Sequence, residues 1–121
     1  MTVLSIRSQD FAVSRRVAEF QNVISAITKV EFIPDDRSSF QSETTIGVLQ
    51  NLVLGYGRHS ASTAVRTPTH AADTDDTVMF HIPLSGSSSI EQRGGERTEL
   101  KSGLVYPDPG AVPDVIRFNG E

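Results

Sequence analysis

Beyond residue 60 this chain is cut into short pieces by glycine, proline, serine and aspartate, and that punctuation limits the fold more than any other feature. Val78, Phe80, Ile82 and Leu84 alternate with Met79, His81, Pro83 and Ser85, the period of two expected of a strand with one face in a core. Pro83 has no N–H to give a ladder, so this strand is expected at an edge or at a bulge. Residues 88–93 and 96–100 flank Gly94-Gly95, which reads as a hairpin with a two-residue loop. Leu100-Lys101-Ser102-Gly103 makes a tight turn into Leu104-Val105-Tyr106, Pro107-Asp108-Pro109-Gly110 forms a corner, and a last strand runs over 114–118. Strands this short and this regularly interrupted indicate a jelly-roll or related β-sandwich rather than βαβ units.

The first half adds one different element. From residue 14 to 28, Val17, Phe20, Ile24 and Ile27 recur at steps of three or four, with Ser14 placed as an N-cap, so an amphipathic helix is expected here. Its apolar stripe is expected to cover one end of the β structure, since such stripes usually face a core. Val30 to Ile33 reads as a short strand ended by Pro34-Asp35-Asp36, and 44–59, rich in Ile, Val and Leu with Gly47, Gly55 and Gly57 inside it, as two strands or one bent strand.

Charge and residue usage then exclude several functions. A formal charge of −4 and a pI near 5.3 have the wrong sign for neutralising phosphates, and the basic residues are dispersed, so direct nucleic-acid binding by this chain is not expected. The absence of cysteine removes disulfides, thiolate metal sites and thiol nucleophiles, and suits a cytoplasmic protein. Arg7, Asp10, Arg15 and Arg16 interrupt the N-terminus, which is neither a signal peptide nor a membrane span. His59, His70 and His81 stand eleven residues apart, unlike the close imidazole pairs of a metal site, so no metal and no cofactor are expected. Gly55-Tyr56-Gly57-Arg58 lacks the rest of a dinucleotide fingerprint, and no Gly-x-Ser-x-Gly elbow exists. Asp73, Asp75 and Asp76 read as solvated turn residues rather than a calcium loop.

The ordered set of segments has a further reading. Arg66-Thr67, then Leu84-Ser85-Gly86, then Glu91-Gln92-Arg93-Gly94-Gly95-Glu96, then Leu100-Lys101-Ser102-Gly103 and Val105-Tyr106-Pro107 occur in one order. That order resembles the N-terminal, cupin-like effector-binding and dimerisation domain of AraC/XylS-type transcription regulators, over roughly residues 16–118. The chain departs from the family pattern at Gly103-Leu104, where Gly-Asp is usual, and at Pro83, where a polar residue is common. The resemblance implies a mainly β, jelly-roll or cupin-like β-sandwich, incomplete at its later strands and preceded by one amphipathic helix. The expected organisation is a single domain with an N-terminal extension over 1–13, the helix over 14–29 and the cupin-like β region over 30–121.

By the same resemblance, the expected function is non-enzymatic ligand sensing and dimerisation, with DNA read only through a helix-turn-helix domain that these residues do not contain. The alternatives are a small metal-dependent cupin enzyme, or a truncated interaction module forming mixed dimers with a full-length regulator. Unpaired ladder edges in a shortened jelly-roll favour a homodimer or higher oligomer, and no membrane partner is expected. A small organic effector would sit inside the barrel. Arg66 is the most singular candidate for it, because a guanidinium can grip a carboxylate in bidentate fashion, although a salt bridge holding the barrel explains that residue equally well. Tyr56, His70, His81 and Tyr106 are the other candidate pocket liners.

Overall fold

A computed structural model describes residues 2–25, 28–73, 78–92 and 95–120. Burial with a period of two builds its larger sheet. Strand β5 (Ser62–Arg66) buries Ser62, Ala64 and Arg66, and β10 (Asp114–Phe118) buries Asp114 and Ile116. These two pair side by side, flanked by β2 (Glu31–Pro34), β7 (Ser88–Gln92) and β8 (Arg97–Leu100), in the antiparallel order β2-β5-β10-β7-β8. The register aligns Phe32, Ala64, Ile116 and Ile90 in one inner row, and Ser62, Phe118, Ser88 and Leu100 in the next.

Helix α1 (Arg16–Ser25) lays its stripe on this face, burying Val17 and Phe20, with Ile24 packed beside them. The ring of Phe20 lies 4.6 Å from Phe32 and 5.4 Å from the fully buried Phe40, both edge-on, the geometry that aromatic quadrupoles favour. A helical turn of three-residue pitch at Val13–Arg15 precedes α1, so Ser14 lies inside that turn and is not the expected N-cap. Ile27, the last residue of the expected stripe, falls outside the described residues. Gln21 fastens helix to sheet: its Oε1 accepts from the Phe32 amide at 2.7 Å and its Nε2 donates to the Val30 carbonyl at 2.9 Å. Those groups line the outer edge of β2, where no strand among the described residues supplies partners.

The region 44–59 forms two strands. β3 (Ser42–Leu49) and β4 (Leu52–His59) make a hairpin closed at Gln50 and Asn51, with Asn51 at φ 63°, a left-handed conformation asparagine tolerates. Thr2–Arg7, inside the stretch read as an extension, forms β1 and pairs with β3, giving the order β1-β3-β4. A two-stranded ribbon of β6 (Val78–His81) and β9 (Tyr106–Pro109) completes a mainly β, cupin-like sandwich.

Four expectations need correction. The alternation in β6 is real but its phase is reversed: Val78 and Phe80 face outward, Phe80 with 62% of its surface exposed, while Met79 and His81 turn inward beside Asp108 and Tyr106. Pro107-Asp108-Pro109 is strand rather than corner, and a spacing of two puts both missing N–H groups on one edge of the ribbon. The chain turns only afterwards, where Val112 N donates to Pro109 O at 3.1 Å. The region after residue 30 also contains a helix, α2 (Pro68–Ala72). Finally, Gly95 N donates to Gln92 O while Gln92 N donates to Glu96 O, so three residues rather than two separate the paired ends of the β7–β8 hairpin. Gly95 takes φ +76°; Gly94 lies outside the described residues, as do Asp75 and Asp76. The last strand begins and ends where the sequence places it, at Asp114 and Phe118.

Candidate functional site

Two polar clusters occupy the inner face of the sandwich. The first grows from the period of β5, which turns Arg66 inward two residues after Ala64 and leaves it 3% exposed. A guanidinium cannot shed its charge, so burial requires counter-charges. β9 and β10 supply them. Arg66 Nη1 lies 2.8 Å from Asp108 Oδ1 and 3.0 Å from Asp114 Oδ2, and it also donates to the carbonyls of Pro109 at 3.1 Å and Val112 at 3.2 Å. His81, on β6, places Nε2 2.9 Å from Asp108 Oδ2.

Two carboxylates crowd one cation, so they divide the charge unequally. Burial alone would push Asp108 up, but hydrogen bonds from His81, Asp114 and Arg66 outweigh it and hold this carboxyl well below the usual carboxylate range. Asp114 is pushed up to about 8, first by burial and then by its hydrogen bond to Asp108 and the charge beside it. Burial and the neighbouring Asp108 therefore favour the protonated form of Asp114. Arg66 Nε and Asp114 Oδ1 are buried without a protein partner among the described residues.

The second cluster is open. A cleft of about 250 Å³ lies between β4 and the segment 82–88. Leu100 and Phe118 from the large sheet line it, as do Gly55, Tyr56, Gly57, Arg58 and His59 from β4. The His59 ring stands 4.6 Å from Phe118 and 5.2 Å from Phe32, edge-on to both. Its Nδ1 lies 3.2 Å from the Ser60 carbonyl and 3.2 Å from Ser62 Oγ. A carbonyl only accepts, so Nδ1 carries the proton and Nε2 presents a lone pair. Burial lowers the pKa of His59, which keeps the ring neutral.

The structure disperses the candidate residues read from the sequence. Tyr56 and His81 line the cleft, Tyr56 from its mouth with 68% exposure. Arg66 lies in the closed cluster. His70 caps α2, its Nδ1 accepting from Thr67 N at 3.2 Å while Thr67 Oγ1 accepts from His70 N at 3.1 Å. Tyr106 accepts the Lys101 amide on its hydroxyl at 2.8 Å. Sequence reading missed Asp108, Asp114, His59 and Phe118 as a set. The signal was present for the first two, since an arginine on the inward phase of a strand demands buried carboxylates nearby. Nothing in the sequence marked His59. Among the described residues, no three side chains of His, Asp or Glu sit together to hold a metal ion, and no helix is long and apolar enough to cross a membrane.

A family model described as an AraC-binding-like domain matches residues 21–106 of this chain. Among solved structures, the AraC-like transcriptional activator CuxR superposes with a TM-score of 0.82 at 18% sequence identity, over 98% of this chain and 44% of that one. That likeness is one of fold, and this chain spans less than half the length of that protein. No curated protein matches the chain in sequence.

Proposed function

The chain belongs to the AraC-binding-like domain family, and on that premise we propose that it is the ligand-sensing and dimerisation domain of an AraC-type transcription regulator, non-enzymatic and cytoplasmic. Its effector is a small organic molecule held in the cleft between β4 and the segment 82–88. The observation that carries this reading is that cleft, where Leu100 and Phe118 meet a mostly polar wall that includes His59, His81, Ser87 and Ser88. The net charge of −4 supports indirect action on DNA, through a helix-turn-helix domain elsewhere in the regulator. Effector occupancy then biases the population of DNA-competent arrangements by its differential affinity for them. Arg66 serves architecture in this reading. It ties the end of β5 to β9 and β10 rather than gripping the effector, because its Nη1 is already committed to two aspartate side chains and two carbonyls.

Native mass spectrometry of the untagged protein, purified without chelators, tests the reading in one spectrum. A metal-free dimer, with or without an organic adduct, is expected. A stoichiometric transition metal would overturn it and put a small metal-dependent cupin enzyme in its place.

A further inference from the structure

β4 carries two glycines on one face with His59, and only one of the two has a structural reason to be glycine. A side chain at Gly57 would bring its Cβ within 2.6 Å of the Glu43 carbonyl, so that residue is fixed by close approach of β3. A Cβ at Gly55 would meet nothing within 4 Å, and Gly55 is not among the residues with positive φ. A glycine inside a strand weakens it by ~0.5–1 kcal/mol relative to alanine and often marks a place where something else approaches the backbone. Gly55, Gly57 and His59 alternate along β4, and of the two glycines only Gly55 leaves open space beside the strand.

The polar groups around this strip are mismatched to an anion. Arg66 is bound to Asp108 and Asp114, His81 Nε2 faces Asp108, and Arg58 lies in solvent at the rim, 3.6 Å from Glu43 Oε2. His59 Nε2 has no hydrogen-bond partner among the described residues, and Nδ1 donates to Ser60 O, so Nε2 accepts. A carboxylate driven against that lone pair would lose its hydration, and the one arginine of the lining, Arg58, is at the rim beside Glu43. A volume of about 250 Å³ fits one ring with short substituents.

Resting on the cleft reading given above, we propose that this slot selects an uncharged ring bearing a hydroxyl group. The hydroxyl donates to His59 Nε2, the ring face lies along Gly55, and the far edge meets Phe118 and Leu100.

Three matched probes test this: benzyl alcohol, toluene and benzoate, each titrated into ¹⁵N-labelled protein. Benzyl alcohol is expected to move the His59 Nε2 resonance together with the Gly55 and Gly57 amides. Toluene should move the amides alone, and benzoate should bind at least ten-fold more weakly than the alcohol. Gly55→Val, which fills open space on a strand, should hold or raise the melting temperature and weaken benzyl alcohol at least ten-fold. Benzoate binding as tightly as the alcohol, or undiminished binding by Gly55→Val, would overturn the proposal. Shifts at Leu100 and Phe118 without a response at His59 Nε2 would reject the ligand class and leave the cleft standing. Silence of every cleft resonance to all three probes would remove the cleft reading as well.

Discussion

The two ends of the inner face handle buried polarity in opposite ways. At the Arg66 end every charge is answered within the protein, and the cluster ties together β5, β6, β9 and β10. At the His59 end the ring is fixed by Ser60 and Ser62 on one nitrogen and left open on the other. The first arrangement pairs the buried guanidinium inside the protein and leaves over only Arg66 Nε and Asp114 Oδ1 among the described residues. The second leaves one acceptor without a partner among the described residues. Buried charge alone is therefore a poor guide to a binding site, since a buried guanidinium can be matched by aspartates of its own chain.

The contrast can be broken most decisively at Arg66. Arg66→Ala leaves Asp108 and Asp114 buried without their cation, and a loss of ~3–5 kcal/mol is expected from urea unfolding. An unchanged midpoint would place Arg66 outside the architecture. His81→Phe withdraws a donor from an ionised carboxylate and should cost ~1.5–3 kcal/mol by the same measurement. Next comes the pH profile. Asp114 is raised to about 8 in the folded state, so the folded protein holds a proton that the unfolded chain, with an ordinary value of 3.8, has already lost. Stability from this group therefore falls as pH rises through that window, by up to ~1.4 kcal/mol per pH unit. His59 is depressed from 6.5, so its contribution has the opposite sign and is lost as pH falls below that value. Asp114→Asn should flatten the decline between pH 6.5 and 8. The smallest effect belongs to the cleft mouth, where Tyr56→Ser should change stability by no more than ~0.5 kcal/mol.

What the sequence made legible is the order and kind of the strands. The span 114–118 was readable because Val115, Ile116 and Phe118 form a β-rich run set off by Pro113 and Gly120. The phase of β6 was not readable from its own residues. Val78, Phe80, Ile82 and Leu84 are the more apolar set, yet the ribbon must turn Asp108 toward Arg66, and pairing Met79 with Asp108 carries His81 to the same face. A period of two gives the alternation, and the long-range partner chooses its sense. Pro107 and Pro109 misled for a related reason, since proline signals a turn locally and only the topology reveals an open ribbon edge. Helix α2 was within reach, because Thr67 followed by Pro68 is an N-cap with proline at the first helical position. For the site, Arg66 was visible and its partners were deducible. His59 was not, because its significance lies in which nitrogen is left unpaired, a matter of three-dimensional contacts.

The Gln21 clamp has a consequence for how the domain opens. The Phe32 amide is held by a helix side chain rather than by a neighbouring strand. Its exchange with deuterated solvent therefore reports the lifting of α1, independently of the sheet, whereas the amides shared by β5 and β10 exchange only when the sheet itself parts. One backbone hydrogen thus serves as a clock for helix undocking. A ligand that tightens the aromatic packing of Phe20, Phe32 and His59 would slow that clock without touching the residue that carries it.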